Sequence, residues 1–263
     1  MFIGHQHLVK DFKELIRRDK LAHGYIFFGE PQVGKFYFAK HLANFLENQK
    51  FEIASRVLQD VLILEDATGI ESMRGLKNFL WQKPIISPKR TVIIDRADYL
   101  TPEAQNAILK ITEEPPTSAL LILIVNQLEN LTPTLLSRFQ KIYFSRLKDD
   151  EMKTLVKQDK IITLAFGRPG RAMNLLSDEL LKEASKYALD FLKASDTKRS
   201  ELIKELVEAQ KEKPKILDDF FEMLILQLRK DPIKNLSALK SAIYRLFLIK
   251  NYNTNKRLQL EAI

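Results

Sequence analysis

Cysteine is absent from this 263-residue chain, which excludes disulfides and every thiolate metal site and makes a reducing compartment permissible. Histidine is scarce as well. His5, His7, His23 and His41 lack companions at metal-binding spacing, so no zinc site is expected. No Gly-x-Ser-x-Gly or comparable nucleophile signature occurs. No apolar run approaches the ~18 residues of a membrane span, and the N-terminus has no signal-peptide pattern, so a cytoplasmic location is expected. Internal repeats and low-complexity linkers are also missing. What remains is ordinary globular composition, 45% hydrophobic and 29% charged. The length suits one large domain or two to three small ones. The formal charge of +8 is compatible with a polyanionic partner, a property shared with many basic proteins that bind no nucleic acid.

Five short apolar runs read as buried strands: Tyr25–Phe28, Val61–Leu64, Thr91–Asp95, Leu120–Val125 and Ile142–Phe144. Helical periodicity places Leu8, Phe12, Leu15 and Ile16 on one stripe of His7–Arg17. The same period aligns Phe38, Leu42, Phe45 and Leu46 in Lys35–Glu47. It also aligns Ala104, Ala107, Ile108 and Ile111 in Pro102–Glu113, with Thr101 as N-cap and Pro102 at the first helical position. Strands alternating with helices predict a parallel sheet covered on both faces. Beyond about residue 148 the strand signal disappears. Two or three short helices are expected over Lys148–Leu176, interrupted at Gly167-Arg168-Pro169-Gly170, and nearly continuous helix from Asp178 onward. The expectation is an α/β domain over residues 1–147, a small helical lid over 148–195 and a C-terminal helical domain over 196–263.

Gly29-Glu30-Pro31-Gln32-Val33-Gly34-Lys35-Phe36 matches a phosphate-binding loop in all but its last position. Glycines Gly29 and Gly34 permit the tight turn that presents backbone N–H groups and a helix N-terminus to phosphate. Lys35 is placed to reach the β/γ-phosphates. A hydroxyl residue is required next to hold Mg²⁺, and Phe36 has no oxygen to offer. The loop follows a predicted strand and opens a predicted helix, the context the motif demands; the plainer reading is a glycine turn between the two.

A second nucleotide-type feature is the strand ending at Asp95, where a P-loop enzyme places its second Mg²⁺-linked carboxylate. A hydrolysing enzyme needs a base to polarise the attacking water, and the residue that follows is Arg96, a permanent cation that accepts no proton. Loss of the metal ligand or of the base costs roughly 2–4 kcal/mol of transition-state stabilisation each. Hydrolysis by this chain is therefore not expected. Ser137-Arg138-Phe139, just before the last strand, reads by itself as a surface arginine. Glu113-Glu114 before Pro115-Pro116 reads as a helix end, and Lys83, Lys89 and Arg90 read as a solvated loop with DNA contact as the lesser alternative.

Taken together these segments resemble the delta-prime subunit family of bacterial DNA polymerase III clamp loaders, which are AAA+ proteins. The matching blocks begin with Ile3-Gly4-His5, Leu21–Phe27 and the loop Gly29–Lys35, and continue through Ile70-Glu71-Ser72-Met73-Arg74 and Val92–Asp98. Asn106–Pro116, with its Glu-Glu-Pro-Pro, is the most specific. Pro133–Gln140 matches the family's Ser-Arg-Cys segment with Phe139 in place of cysteine. Gly167–Arg171 resembles the second sensor, and Asn255–Glu261 the end of a collar domain.

The resemblance implies a non-hydrolysing stator in a five-membered ring with motor and delta subunits, acting with the sliding clamp on primer-template DNA. It implies that Arg138, with Ser137, is an arginine finger donated to a neighbour's ATP, worth about 10³–10⁵ in rate. Gly29, Gly34, Lys35, Asp95, Asn126 and Arg171 would form a degenerate nucleotide site able to hold ATP, ADP or phosphate without hydrolysis. Arg74 matches a position facing the DNA backbone, where a phosphate contact positions the duplex without reading sequence. One departure is plain. The family's four-cysteine zinc module is missing between the P-loop helix and Val61–Leu64, so no zinc is expected. Two rival readings remain: a motor-type AAA+ ATPase that tolerates Phe36 and Arg96, and a stand-alone basic DNA-binding module.

Overall fold

The α/β segment runs α1 (Gln6–Arg17), β1 (Gly24–Phe28), α2 (Lys35–Asn48), β2 (Val61–Leu64), α3 (Ile70–Trp81), β3 (Arg90–Ile94), α4 (Pro102–Glu113), β4 (Ala119–Ile124), α5 (Pro133–Leu136), β5 (Gln140–Tyr143) and α6 (Asp149–Leu155). The computed structural model describes residues 2–65, 70–252 and 254–263. These fall into two compact units, one of residues 1–157 with 167–170, the other of 158–166 and 171–263.

All five strands are parallel, in the order β2-β3-β4-β1-β5. Parallel pairing explains why the strands are apolar throughout instead of alternating: helices cover both faces. β3 and β4 are buried at every residue. The period of two still sorts side chains. Ile26, Val92, Ile94, Leu121 and Leu123 pack with Met73, Leu76, Leu80 and Ile108. Tyr25, Phe27, Ile93, Ile122 and Ile124 pack on the other face with Phe12, Phe38 and Leu42. The expected strand positions hold to within a residue or two, and α4 has the expected limits. Its Thr101 Oγ1 accepts from the Ala104 amide at 3.3 Å, and Pro102 occupies the first turn where a missing N–H costs nothing.

One expectation is overturned. Arg90 is not part of a solvated loop but is 5% exposed at the start of β3. Its Nη1 lies 3.3 Å from Oδ1 of the fully buried Asp60, and it donates to the carbonyls of Gln59 and Lys83 at 3.1 Å each. Asp60 in turn accepts the amides of Ile85, Ile86 and Ser87 at 2.7–2.8 Å. Burial would raise this carboxyl's pKa, but the three amides and the Arg90 charge outweigh it and hold it below the ordinary value. A partner 30 residues upstream is what draws the arginine inward. Lys83 is exposed, while Lys89 Nζ donates to the Thr117 carbonyl at 2.5 Å.

The second unit is helical: α7 (Asp159–Ala165), α8 (Pro169–Ser177, from Arg171 on), α9 (Glu179–Lys193), α10 (Asp196–Glu212), α11 (Ile216–Leu228), α12 (Leu236–Asn251) and α13 (Lys256–Glu261). Its core is built around the apolar α11, with Phe220 edge-on to Phe191 of α9 at 5.7 Å. Among the described residues no helix is long and apolar enough to cross a membrane.

Candidate functional site

Because the sheet is parallel, the loops that follow β1, β3 and β4 meet along one edge. Gly29 (φ 135°) and Gly34 (φ 103°) both take backbone conformations that side chains rarely adopt, and a Cβ on Gly29 would lie 2.4 Å from the Phe144 carbonyl. Gly34 caps α2, so Lys35 and Phe36 open that helix. The Lys35 side chain is nearly buried, and its ammonium donates to the Gly29 carbonyl (2.5 Å), the Glu30 carbonyl (2.7 Å) and Asn126 Oδ1 (3.1 Å). An ammonium has three protons, so these three oxygens use its full donor capacity. Burial lowers its pKa to about 8, against the opposing pull of Asp98, Asp95 and Glu30.

Asn126, just beyond β4, is oriented by Asp98. Its backbone N–H and its Nδ2 donate to Asp98 Oδ2 at 3.3 and 3.1 Å. Asp98 Oδ1 is buried without a hydrogen-bond partner. Asp95 follows β3 with its pKa raised by burial, while the neighbouring Arg96 amide and charge act the other way. Arg96 is exposed in a left-handed conformation (φ 50°) at the start of a short 3₁₀ turn, Ala97–Tyr99. A cavity of about 320 Å³ opens beside the cluster, lined by residues including Gly29, Glu30, Asn126 and Tyr143. Glu30 is engaged by the Arg146 guanidinium, whose Nε and Nη2 donate to the carboxylate at 2.6–3.0 Å.

Phe36 is partly buried against the aromatic face of the sheet, with Lys40 Nζ 5.0 Å from its ring centre. His5 braces the loop from the N-terminal side, its Nε2–H donating to the Val33 carbonyl at 3.1 Å. On a further side the Gly170 amide donates to the Gln32 carbonyl at 3.0 Å.

Ser137 and Arg138 lie at the other edge of the sheet. Arg138 precedes β5, whose Gln140 pairs with Tyr25 at the start of β1. The length of β1, roughly 13–17 Å at about 3.3 Å per residue, therefore separates this edge from the P-loop. Ser137 is exposed, and its Oγ donates to the Thr134 carbonyl at 2.9 Å. Arg138 Nη1 donates to the same carbonyl at 3.2 Å, and Nη2 stands 3.7 Å from Glu113 Oε1. Phe139 anchors the pair: its ring fills the space a side chain at Gly24 would need, with Cδ1 2.7 Å from where that Cβ would sit.

The structure thus gathers Gly29, Gly34, Lys35, Asp95 and Asn126 at one edge and Ser137 with Arg138 at the opposite one. Arg171 belongs to the helical unit, where it is 4% exposed, pairs with Glu222 and donates to Met223 Sδ at 3.8 Å. Arg74 falls in α3, but its side chain is outside the described residues. Sequence reasoning missed Asp98 as a site residue. Its only signal was an acid one turn beyond Asp95, and its role is set by Asn126, 28 residues later.

A family model described as DNA polymerase III, delta subunit, matches residues 4–148. The gamma/tau subunit of DNA polymerase III from Mycoplasma pneumoniae is 30% identical over 196 residues, which is 69% of this chain and 28% of the relative. Replication factor C subunit 5 from Homo sapiens is 30% identical over 190 residues, 66% of this chain and 55% of the relative. The chain therefore spans less than a third of the first of these relatives and about half of the second. Among solved structures, a DNA polymerase III gamma subunit-related protein from Thermotoga maritima superposes with a TM-score of 0.55 over 95% of both chains at 19% identity. A RuvB variant from the same organism gives 0.51 over 73% of this chain and 65% of its own at 15% identity. These two likenesses show the fold, an AAA+ arrangement of parallel sheet followed by helices.

Proposed function

The chain belongs to the DNA polymerase III delta-subunit family, and from that membership we propose that it is a delta-prime-like stator of a sliding-clamp loader. It does not hydrolyse ATP but lends Arg138 to the ATP site of an adjacent motor subunit while a clamp is loaded on primed DNA. The observation that carries this reading is the separation of the two features across the sheet. Arg138 stands about a strand length from its own P-loop, which supports a role toward a phosphate held by another molecule.

The chemistry of the P-loop edge supports the same division. A Mg²⁺-nucleotide needs an oxygen ligand after the P-loop lysine, and Phe36 supplies a packed ring. A water-activating base is needed beyond Asp95, and Arg96 supplies a cation. The residues present do not fit a hydrolytic metal centre, and no catalytic step is assigned to it. Lys35, bound to three oxygens of its own chain, ties the P-loop to the end of β4. Arg171 as a second sensor, Arg74 as a phosphate contact, a lid over 148–195 and a collar over 196–263 are part of the same proposal.

In the neighbour's site Arg138 would place its guanidinium against the γ-phosphate, stabilising charge that builds on the phosphoryl oxygens as the bond to the leaving group breaks. The test is a reconstituted loader with its other motor sites inactivated. Arg138→Ala should lower turnover at the adjoining site by about 10³-fold or more, with this subunit's thermal midpoint unchanged. Undiminished turnover would remove Arg138 from the mechanism. Mg-ATP hydrolysis by the chain alone, lost in Lys35→Ala, would favour a motor. Tight, salt-sensitive duplex binding by the isolated chain would favour a DNA-binding module.

A further inference from the structure

Helix α4 ends in two acids, Glu113 and Glu114, followed by Pro115-Pro116. Acidic residues are disfavoured at a helix C-terminus, where unsatisfied carbonyls already concentrate negative charge. The prolines terminate the helix without help, so local helix chemistry gives no reason for the acids. Topology supplies one for Glu113. α4 leaves the P-loop edge after β3 and returns to the opposite edge before β4, the edge on which α5 delivers Arg138. Two residues 25 positions apart thereby come together, with Glu113 Oε1 3.7 Å from Arg138 Nη2. The Thr134 carbonyl takes Nη1 of the same guanidinium. The side chains stay accessible, 35% exposed for Arg138 and 57% for Glu113. Such a pair is weak and exchanges readily with solvent or with another anion.

We propose that Glu113 is the positioning residue of Arg138, resting on the reading of Arg138 as a finger in trans. Its carboxylate holds the guanidinium on this subunit's surface and competes for it with the triphosphate of the neighbouring site. No bond is made or broken; one anion replaces another around the same cation. The weakness of the pair suits this exchange, because a buried and saturated partner would never release the arginine. Glu114, next in sequence, makes no ion pair with Arg138 and serves as the internal control.

The experiment uses the reconstituted loader with only the adjoining motor site active, and follows ATP turnover against ATP concentration. Glu113→Gln keeps the shape and removes the competing charge. It should lower KM for ATP about 2–5-fold, the range an exposed ion pair can shift an equilibrium, with kcat within twofold. The difference should shrink as salt is raised toward the molar range. On an Arg138→Ala background Glu113→Gln should have no further effect. A KM that is unchanged or raised in Glu113→Gln would overturn the proposal while leaving the finger intact, provided Arg138→Ala still abolishes turnover. An equal fall in Glu114→Gln would also overturn it, by reducing the effect to surface charge. If Arg138→Ala itself has no effect, the function proposed above fails and the inference fails with it.

Discussion

The two edges of one sheet treat a positive charge in opposite ways. At the P-loop edge Lys35 is nearly buried, bonded to three oxygens of its own chain and pushed toward neutrality by burial. At the far edge Arg138 is a third exposed and held by one carbonyl and one long ion pair. Both are cations of a type that binds phosphate. The first holds a loop in place; the second is held loosely enough to be given away, as the proposed function requires. A residue type that matches a motif therefore says little about its use until its own hydrogen bonds have been assigned.

The comparison sharpens most at Lys35. Its pKa falls from about 10.5 in the unfolded chain to about 8 in the folded one. Between these values the unfolded state binds more protons, so folding stability contributed by this group rises with pH from 8 to 10.5. Below pH 8 both states are protonated and the full desolvation cost is present. The total change is up to about 3 kcal/mol. Urea midpoints of wild type and Lys35→Met at pH 7.5 and 10 should show the gap between them widen by that order in favour of wild type. A constant gap would mean that the ammonium is not desolvated and that the two edges differ less than described.

Next comes Gly24, against which Phe139, the neighbour of the proposed finger, packs. A methyl group there meets the Phe139 ring at 2.7 Å. Gly24→Ala should cost about 1–3 kcal/mol by overpacking and shift Ser137-Arg138 with the ring. Neighbour-site turnover should then fall although Arg138 is present. A second change, Phe139→Leu, would make room and restore both. Loss of stability with unaltered turnover would show that the finger does not depend on this anchor. The same contact defines what position 24 must be: only a residue without a side chain leaves room for the Phe139 ring.

Much of this arrangement is visible in the sequence, for physical reasons. Strands buried on two faces must be apolar, and five of them announce themselves. The loop glycines are required by positive φ, and Phe36 is legible because a missing oxygen is visible in one letter. Helix α3 is not legible in the pattern, since Gly75 and the polar residues around Met73 blur the period. The remaining omissions all involve long-range partners. Arg90 looks like a surface residue until Asp60 is placed beside it. Glu113 looks like a helix end, and is one, until α5 brings Arg138 to it. Asp98 is an acid in a loop until Asn126 arrives from the next strand. Periodicity reports which face is buried, but it carries no information about which polar group meets which.

The smallest expected effect tests the support beneath Lys35. Asp98 orients Asn126 through two hydrogen bonds to one oxygen, and its other oxygen is buried without a partner. Asp98→Asn keeps the shape and removes the charge that helps keep Lys35 protonated. Loss of a charge-assisted contact on one side is offset by relief of an unpartnered carboxylate oxygen on the other, so the net cost should be only about 1 kcal/mol at pH 7. The informative quantity is therefore the Lys35 titration. Without Asp98 the ammonium loses the first of the charges that oppose its desolvation, and its pKa should move further below 8. The pH window in which stability rises would then open at a lower pH in Asp98→Asn than in wild type, as read from urea midpoints between pH 6 and 10. An unmoved window would mean that Asp98 acts on Asn126 alone and that Lys35 is held by the loop carbonyls without it.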